Sequence, residues 1–333
     1  MKKLINNPEN YVDEVLQGMC IAHPDQYAID GETSRVLRRV EAAESKVGVV
    51  SGGGFGHLPV FAGYVGDGLL DACAVGDVFA SPDMNPMLES VRFANSGKGV
   101  LCVVGNYGGD RMNFDMTGEM AEMEDITTTK VIVADDVASA GPEEAEKRRG
   151  VAGLVYVFKV AGAAAASGLS LEETTAVAQK AADNCRSIGV ALSSCTVPQA
   201  GKPTFEIADD EIELGMGIHG EPGVWRGKVK PVDEVADDMV DYILKDMPLT
   251  NQDNVSVLVN GLGATPIEEL YLVYRRVKAR LDEIGVSITF PMVGNYATSM
   301  EMAGASLTIM RLDDELEELL GADADCPFWR NLK

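Results

Sequence analysis

Short β-branched stretches that stop abruptly at glycine-rich turns constrain this sequence more than any other feature. Residues 47–51 (VGVVS) run into Gly52-Gly53-Gly54, residues 100–104 (VLCVV) into Gly105-Asn106-Tyr107-Gly108-Gly109-Asp110, and residues 130–134 (KVIVA) into Asp135-Asp136. Helix-like segments follow, a rhythm that predicts an α/β chain whose sheets are mixed or parallel and carry flanking helices. In open α/β sheets ligands sit in the crevice beyond the carboxyl ends of the strands, so the three turns are expected to share one site.

A length of 333 residues exceeds one minimal core and predicts two packed lobes. Residues 150–168 read as a small-residue helix that packs closely; Lys159 and one-sided arginines argue against a membrane span. A second helix, with Glu172 and Glu173 in its first turn, is expected from Leu171 to about Cys185, with strands resuming at Ile188. The predicted lobes are therefore residues 1–185 and 186–333. In the second, a strand at 255–259 leads into Asn260-Gly261-Leu262-Gly263-Ala264 and then a helix with Thr265 as N-cap, Pro266 at the first helical position and Glu268 three residues after the cap. Its apolar face is Leu270, Val273, Val277, Leu281 and Ile284, and it ends at Gly285. The acidic segment 312–320 is expected to be helical and to pack back on the first lobe.

Charge excludes one class of partner. With 28 basic against 52 acidic side chains the net charge is −24, which repels polyanions and disfavours nucleic-acid binding. No apolar run is long enough to span a bilayer, and the N-terminus lacks the apolar core of a secretory signal, so a cytoplasmic protein is expected. Six cysteines without a C-x-x-C pair read as reduced, buried thiols. Three histidines without a metal-binding spacing make a zinc site in this chain unexpected.

The glycine turns fail the tests for nucleotide binding. A dinucleotide fingerprint starting at Gly52 would need glycine where His57 stands, no G-K-[ST] follows the run, and Ser96-Gly97-Lys98-Gly99 precedes a strand. The first turn does offer main-chain amides for close approach to a small oxygenated ligand, with His57 at its end; a tight structural turn with an incidental histidine is the plainer alternative. His219 lies in a second glycine-rich stretch, Gly217-Ile218-His219-Gly220-Glu221-Pro222-Gly223, whereas His23, before Pro24, receives no role. Asp110 after Gly108-Gly109 projects a carboxylate that can act as a general base at a strand end, although an aspartate in such a turn usually serves turn chemistry alone.

Taken together, these motifs resemble the substrate-binding K subunit of the dihydroxyacetone kinase family. The resemblance spans nearly the whole chain, through Gly52-Gly53-Gly54-Phe55-Gly56-His57-Leu58-Pro59, Gly76-Asp77-Val78-Phe79-Ala80-Ser81-Pro82, Asn106-Tyr107-Gly108-Gly109-Asp110, Arg148-Arg149-Gly150, Cys195-Thr196-Val197-Pro198, the His219 stretch and Leu262-Gly263-Ala264-Thr265-Pro266. It implies that His219 captures a short hydroxy-ketone as a covalent hemiaminal, that Asp110 deprotonates the hydroxyl to be phosphorylated, and that His57 assists proton transfer at the hemiaminal oxygen. Gly53, Gly54, Phe55, Gly56, Ser81 and Gly105 fall at or beside the implied substrate-contacting positions. The resemblance further implies no nucleotide in this chain, Mg-ADP or Mg-ATP on a separate L-type subunit, a phosphotransferase-system protein or ATP as phosphoryl source, and a homodimer.

Three positions depart from the family's best-known members, which carry serine at Phe55, glutamate at Leu58 and lysine at Gly105. These changes are expected to reshape the pocket toward a larger ketose such as erythrulose. The alternative is a ketose-sensing coactivator of a transcriptional regulator, which the family also contains.

Overall fold

The structure is a computed structural model that describes residues 2–30 and 35–332. Helix α1 (Tyr11–Ala22) precedes strands β1 (Tyr27–Asp30), β2 (Val36–Arg39), β3 (Gly48–Phe55) and β4 (Ala72–Val78). Then come α2 (Met84–Ala94), β5 (Val100–Gly105), α3 (Gly108–Glu122) and β6 (Thr128–Val133). The six strands form one sheet in the order β1-β2-β4-β3-β5-β6, with β4, β3, β5 and β6 parallel. The chain leaves β3 toward β4 on one side and returns to β5 on the other. That reversal of direction opens a crevice between the carboxyl ends of β3 and β5.

Two helices, α4 (Gly153–Ala166) and α5 (Leu171–Asp183), lead to a second six-stranded sheet. Its elements are β7 (Cys185–Ala191), β8 (Glu211–Leu214), β9 (Trp225–Lys228), α6 (Val232–Asp246), β10 (Asn254–Gly261), α7 (Ile267–Ile284), β11 (Ser287–Gly294) and β12 (Gly304–Leu312). The order is β11-β10-β12-β7-β8-β9, parallel only between β10 and β11. The chain ends in α8 (Asp314–Leu320) and a hairpin of β13 (Ala324–Cys326) and β14 (Trp329–Asn331). The described residues thus form two mixed sheets with flanking helices, the predicted α/β class.

Helix α4 is the shared core. All its residues except Ala166 are buried, and it packs on β3 and β5 of one sheet and on β7 and β12 of the other. Gly162 is required by this packing, because a Cβ there would lie 2.4 Å from the backbone of Leu69. Lys159 is fully buried and donates to Leu319 O of α8 at 2.7 Å, which ties the last helix to the first lobe. The second core fills the space between the second sheet and α6 and α7, including Leu270, Val273, Val277 and Leu281.

Local boundaries differ from the sequence reading in instructive ways. Gly52, Gly53 and Gly54 are part of β3 and not a loop; a Cβ on Gly53 would strike the Phe61 ring at 2.5 Å, and one on Gly54 the Ala80 amide at 2.8 Å. These glycines let another chain segment cross the end of the strand. Helix α7 begins one residue later than expected, with Pro266 as N-cap. The Thr265 hydroxyl instead bonds both the carbonyl and the amide of Gly304, a long-range partner that sequence does not reveal. Gly285 does end the helix, in the left-handed conformation at φ 86°. Strand β7 starts at Cys185, three residues before Ile188.

Candidate active site

The site is assembled where the β3 end meets loops of the second lobe. Gly56 takes φ 101°, a left-handed turn that releases the chain from β3. The following residues are stitched to the loop between β11 and β12: Met300 N donates to Gly56 O at 2.8 Å, Thr298 N to His57 O at 3.2 Å and Thr298 Oγ1 to Leu58 O at 2.9 Å. The same loop supports a third segment, because the Ser299 hydroxyl donates to Ile218 O beside His219. His219 lies between β8 and β9, so the two histidines, 162 positions apart in sequence, are brought together by packing of the lobes.

His57 is 1 % exposed and its ring is fixed on three sides. Phe79 stacks on it at 4.8 Å between centroids and 16°, and His219 meets it edge-on at 4.8 Å and 82°. Phe79 holds φ 59°, uncommon for a bulky residue. His57 Nδ1 lies 2.7 Å from Thr298 O. A carbonyl only accepts, so Nδ1 carries the hydrogen and Nε2 presents a lone pair. Burial first, then the neighbouring His219, pushes the His57 pKa down to about 3, against the opposing effects of Thr298 O and Glu221. The ring is therefore a neutral acceptor at ordinary pH.

Asp110 sits in the first turn of α3, where Gly108 and Gly109 leave the helix start open. It is 5 % exposed. Burial raises its pKa from 3.8 to about 6, with the Ser81 hydrogen bond and the His219 charge opposing. Ser81 lies directly under Gly109, its Oγ 2.6 Å from where a Cβ would be. Tyr107, the N-cap of α3, meets His219 edge-on at 4.8 Å. Three buried polar atoms here, His57 Nε2, Asp110 Oδ1 and Tyr107 Oη, have no hydrogen-bond partner among the described residues. Buried polar groups are rarely left so, and three around one histidine mark a place for a polar ligand.

Of the expected positions, His57, Ser81, Asp110 and His219 converge, with Gly53, Gly54 and Gly56 shaping the strand end beneath them. Phe55 goes elsewhere. Its ring meets Tyr11 edge-on at 6.1 Å and, with Leu58 and Met300, lines a groove of about 400 Å³ beside residues 3–5. The expectation that Phe55 and Leu58 reshape the pocket around His219 is not what the geometry supports. Gly105, at the end of β5, is different: a Cβ there would meet nothing closer than 3.5 Å, from Leu154 and Tyr107. Sequence reasoning gave no role to Phe79, Tyr107 or Glu221, although all three lie inside the quoted motifs; an acid two residues after a histidine in a glycine-rich stretch was the available signal. The third turn acts at one remove, since Asp136 holds Arg149, which also donates to Gly215 O at the base of the His219 loop.

Fold and site together define a two-lobed α/β protein with a histidine-carboxylate cleft at the lobe junction. Residues 17–328 match the Dak1 domain, and the chain belongs to that family. It is 46 % identical over 332 residues, 99 % of both chains, to the dihydroxyacetone-binding subunit DhaK of a PTS-dependent dihydroxyacetone kinase from Listeria innocua. It is 42 % identical to an L-erythrulose kinase of Pectobacterium atrosepticum, across 99 % of this chain and 56 % of that protein. Among solved structures it resembles the dihydroxyacetone kinase operon co-activator DhaQ, with TM-score 0.89 and 34 % identity over 96 % of this chain and 98 % of that one.

Proposed function

We propose that this chain is the substrate-holding subunit of a ketose kinase, which captures a short hydroxy-ketone as a hemiaminal on His219. The observation that carries this reading is the pair of unpartnered buried atoms, His57 Nε2 and Asp110 Oδ1, beside the partly exposed His219 ring. A neutral imidazole adds reversibly to a ketone and, lacking a second hydrogen, stops at the hemiaminal, so the substrate is held without being consumed. An alcohol without a carbonyl is not captured.

The other residues then take defined parts. Asp110, with a pKa of about 6, is largely ionised near neutral pH yet basic enough to accept the proton of the hydroxyl that attacks phosphorus. His57 accepts a hydrogen from the bound ketose or its hemiaminal hydroxyl through Nε2, and its low pKa makes it a poor acid. The nucleotide and magnesium belong to a separate L-type subunit, recharged by a phosphotransferase-system protein or replaced by ATP. A cytoplasmic homodimer of this chain fits that arrangement; among the described residues no helix is long and apolar enough to cross a membrane.

The substrate is dihydroxyacetone or a four-carbon ketose such as erythrulose. Gly105 leaves the end of β5 beside Tyr107 without a side chain, which favours the larger sugar, and relatives named for each ketone have comparable identity. The likeness to a co-activator supports a second reading, ketose sensing without phosphorylation. Intact-protein mass spectrometry with both ketoses tests the capture: an adduct is expected on the native chain and none on His219→Ala. An adduct that survives the substitution refutes the assignment. Turnover with an added L-type subunit separates kinase from sensor.

A further inference from the structure

The His219 ring is itself held by a carboxylate. Glu221 Oε1 lies 2.9 Å from His219 Nδ1, while Glu221 Oε2 accepts from the His219 amide at 3.0 Å. The two-residue turn thus folds the acid back on its own histidine. The acid is confined in turn: Glu221 Oε2 and Arg149 Nη1 lie 2.1 and 2.5 Å from where a Cβ on Gly217 would stand, so only glycine leaves room for both. Arg149 is anchored by Asp136 and Gly215 O. Burial would raise the Glu221 pKa, but the His219 hydrogen bond and charge, with Arg149 and a backbone bond, hold it at about 2. The charged and titratable groups around the ring are therefore Glu221 and Arg149 on one side and His57, Tyr107 and Asp110 on the others.

We propose that Glu221 is a positioning residue for ketone capture: it accepts from Nδ1–H of His219, fixes the tautomer that bares Nε2, and balances the charge that forms on the ring. This rests on the hemiaminal reading above. An ionised carboxylate only accepts, so Nδ1 must carry the hydrogen and Nε2 the lone pair. During addition the Nε2 lone pair forms the C–N bond and the carbonyl π pair moves to oxygen. The oxygen then takes one proton and Nδ1 releases one, both through water, giving a neutral hemiaminal with no net proton uptake. Between those events the ring is an imidazolium, paired with Glu221.

The test uses the full chain, with histidine ¹⁵N NMR to report the tautomer and intact mass to follow the dihydroxyacetone adduct. The native His219 should show a protonated Nδ1 and bare Nε2. Glu221→Ala should shift it toward the Nε2–H form and slow adduct formation by roughly 10- to 100-fold, as expected for loss of a charged hydrogen-bond partner. Glu221→Gln, of the same shape, should fall between the two and decides the matter if the alanine variant does not fold. Unchanged tautomer and adduct rate in the folded variants overturn the role of Glu221 and leave ketone capture standing. Absence of an adduct on the native chain overturns the capture itself.

Discussion

Replacing Asp110 by asparagine should stabilise the protein while removing its proposed base, and the gain should depend on pH. The carboxyl is 5 % exposed, and its pKa rises from 3.8 to about 6 on folding. Below 3.8 both folded and unfolded states hold the proton. Between 3.8 and about 6 only the folded state does, so this group's contribution to stability falls as pH rises through that window. Above it both states are ionised and the full penalty for a buried charge is present, about 3 kcal/mol. Asparagine has the same shape, keeps an oxygen for the Ser81 hydroxyl and carries no charge. Any packing or hydrogen-bond cost of its amide is the same at every pH and cancels in the comparison. Urea unfolding of both proteins near pH 4.5 and pH 8 should show the variant's relative stability rising by about 2 kcal/mol, the part of the penalty that falls between those conditions. Phosphorylation should be lost while the ketone adduct on His219 still forms. A stability difference independent of pH would refute the reasoning, because it would mean that Asp110 is not desolvated by the fold.

Gly105→Ala should fold, since its Cβ would meet Leu154 and Tyr107 at ordinary contact distances of 3.5 to 3.6 Å, and by filling the strand end beside Tyr107 it should raise the KM for erythrulose relative to dihydroxyacetone in a coupled kinase assay. Phe55→Ser should cost about 3 kcal/mol of stability for the buried ring it removes, yet leave the ratio of the two KM values unchanged, because that ring packs on Tyr11. Gly162→Ala should cost about 1–3 kcal/mol in urea unfolding, since its methyl would sit 2.4 Å from the Leu69 backbone.

The departures between sequence and structure share one cause. Thr265 reads as a helix cap because a local rule favours it, but Gly304, 39 positions away, takes its hydroxyl. The triple glycine reads as a loop because nothing local shows that Phe61 and the backbone of residues 79 and 80 must cross the end of β3. Phe55 and His57, two positions apart, were both read as bordering the site; only His57 reaches it, because the turn at Gly56 breaks the simple alternation of the strand. Local signals were sound where the partner was local, as at Gly285 or at the start of α5 at Leu171, with Glu172 and Glu173 in its first turn.

By itself the sequence determined the α/β class, through strand runs ending at glycine, and the chemistry on offer, through two histidines and an aspartate in glycine-rich motifs. Only the tertiary structure decided what those groups are. Packing of the two lobes sets His57 4.8 Å from His219, burial holds one ring neutral and lifts the Asp110 carboxyl toward neutrality, and the turn to Glu221 selects which His219 nitrogen is bare. Ionisation depends on desolvation and on partners from distant segments, which exist only once the lobes have closed on each other; the Glu221 turn is local, but the distant Arg149, anchored by Asp136 and Gly215 O, packs against it.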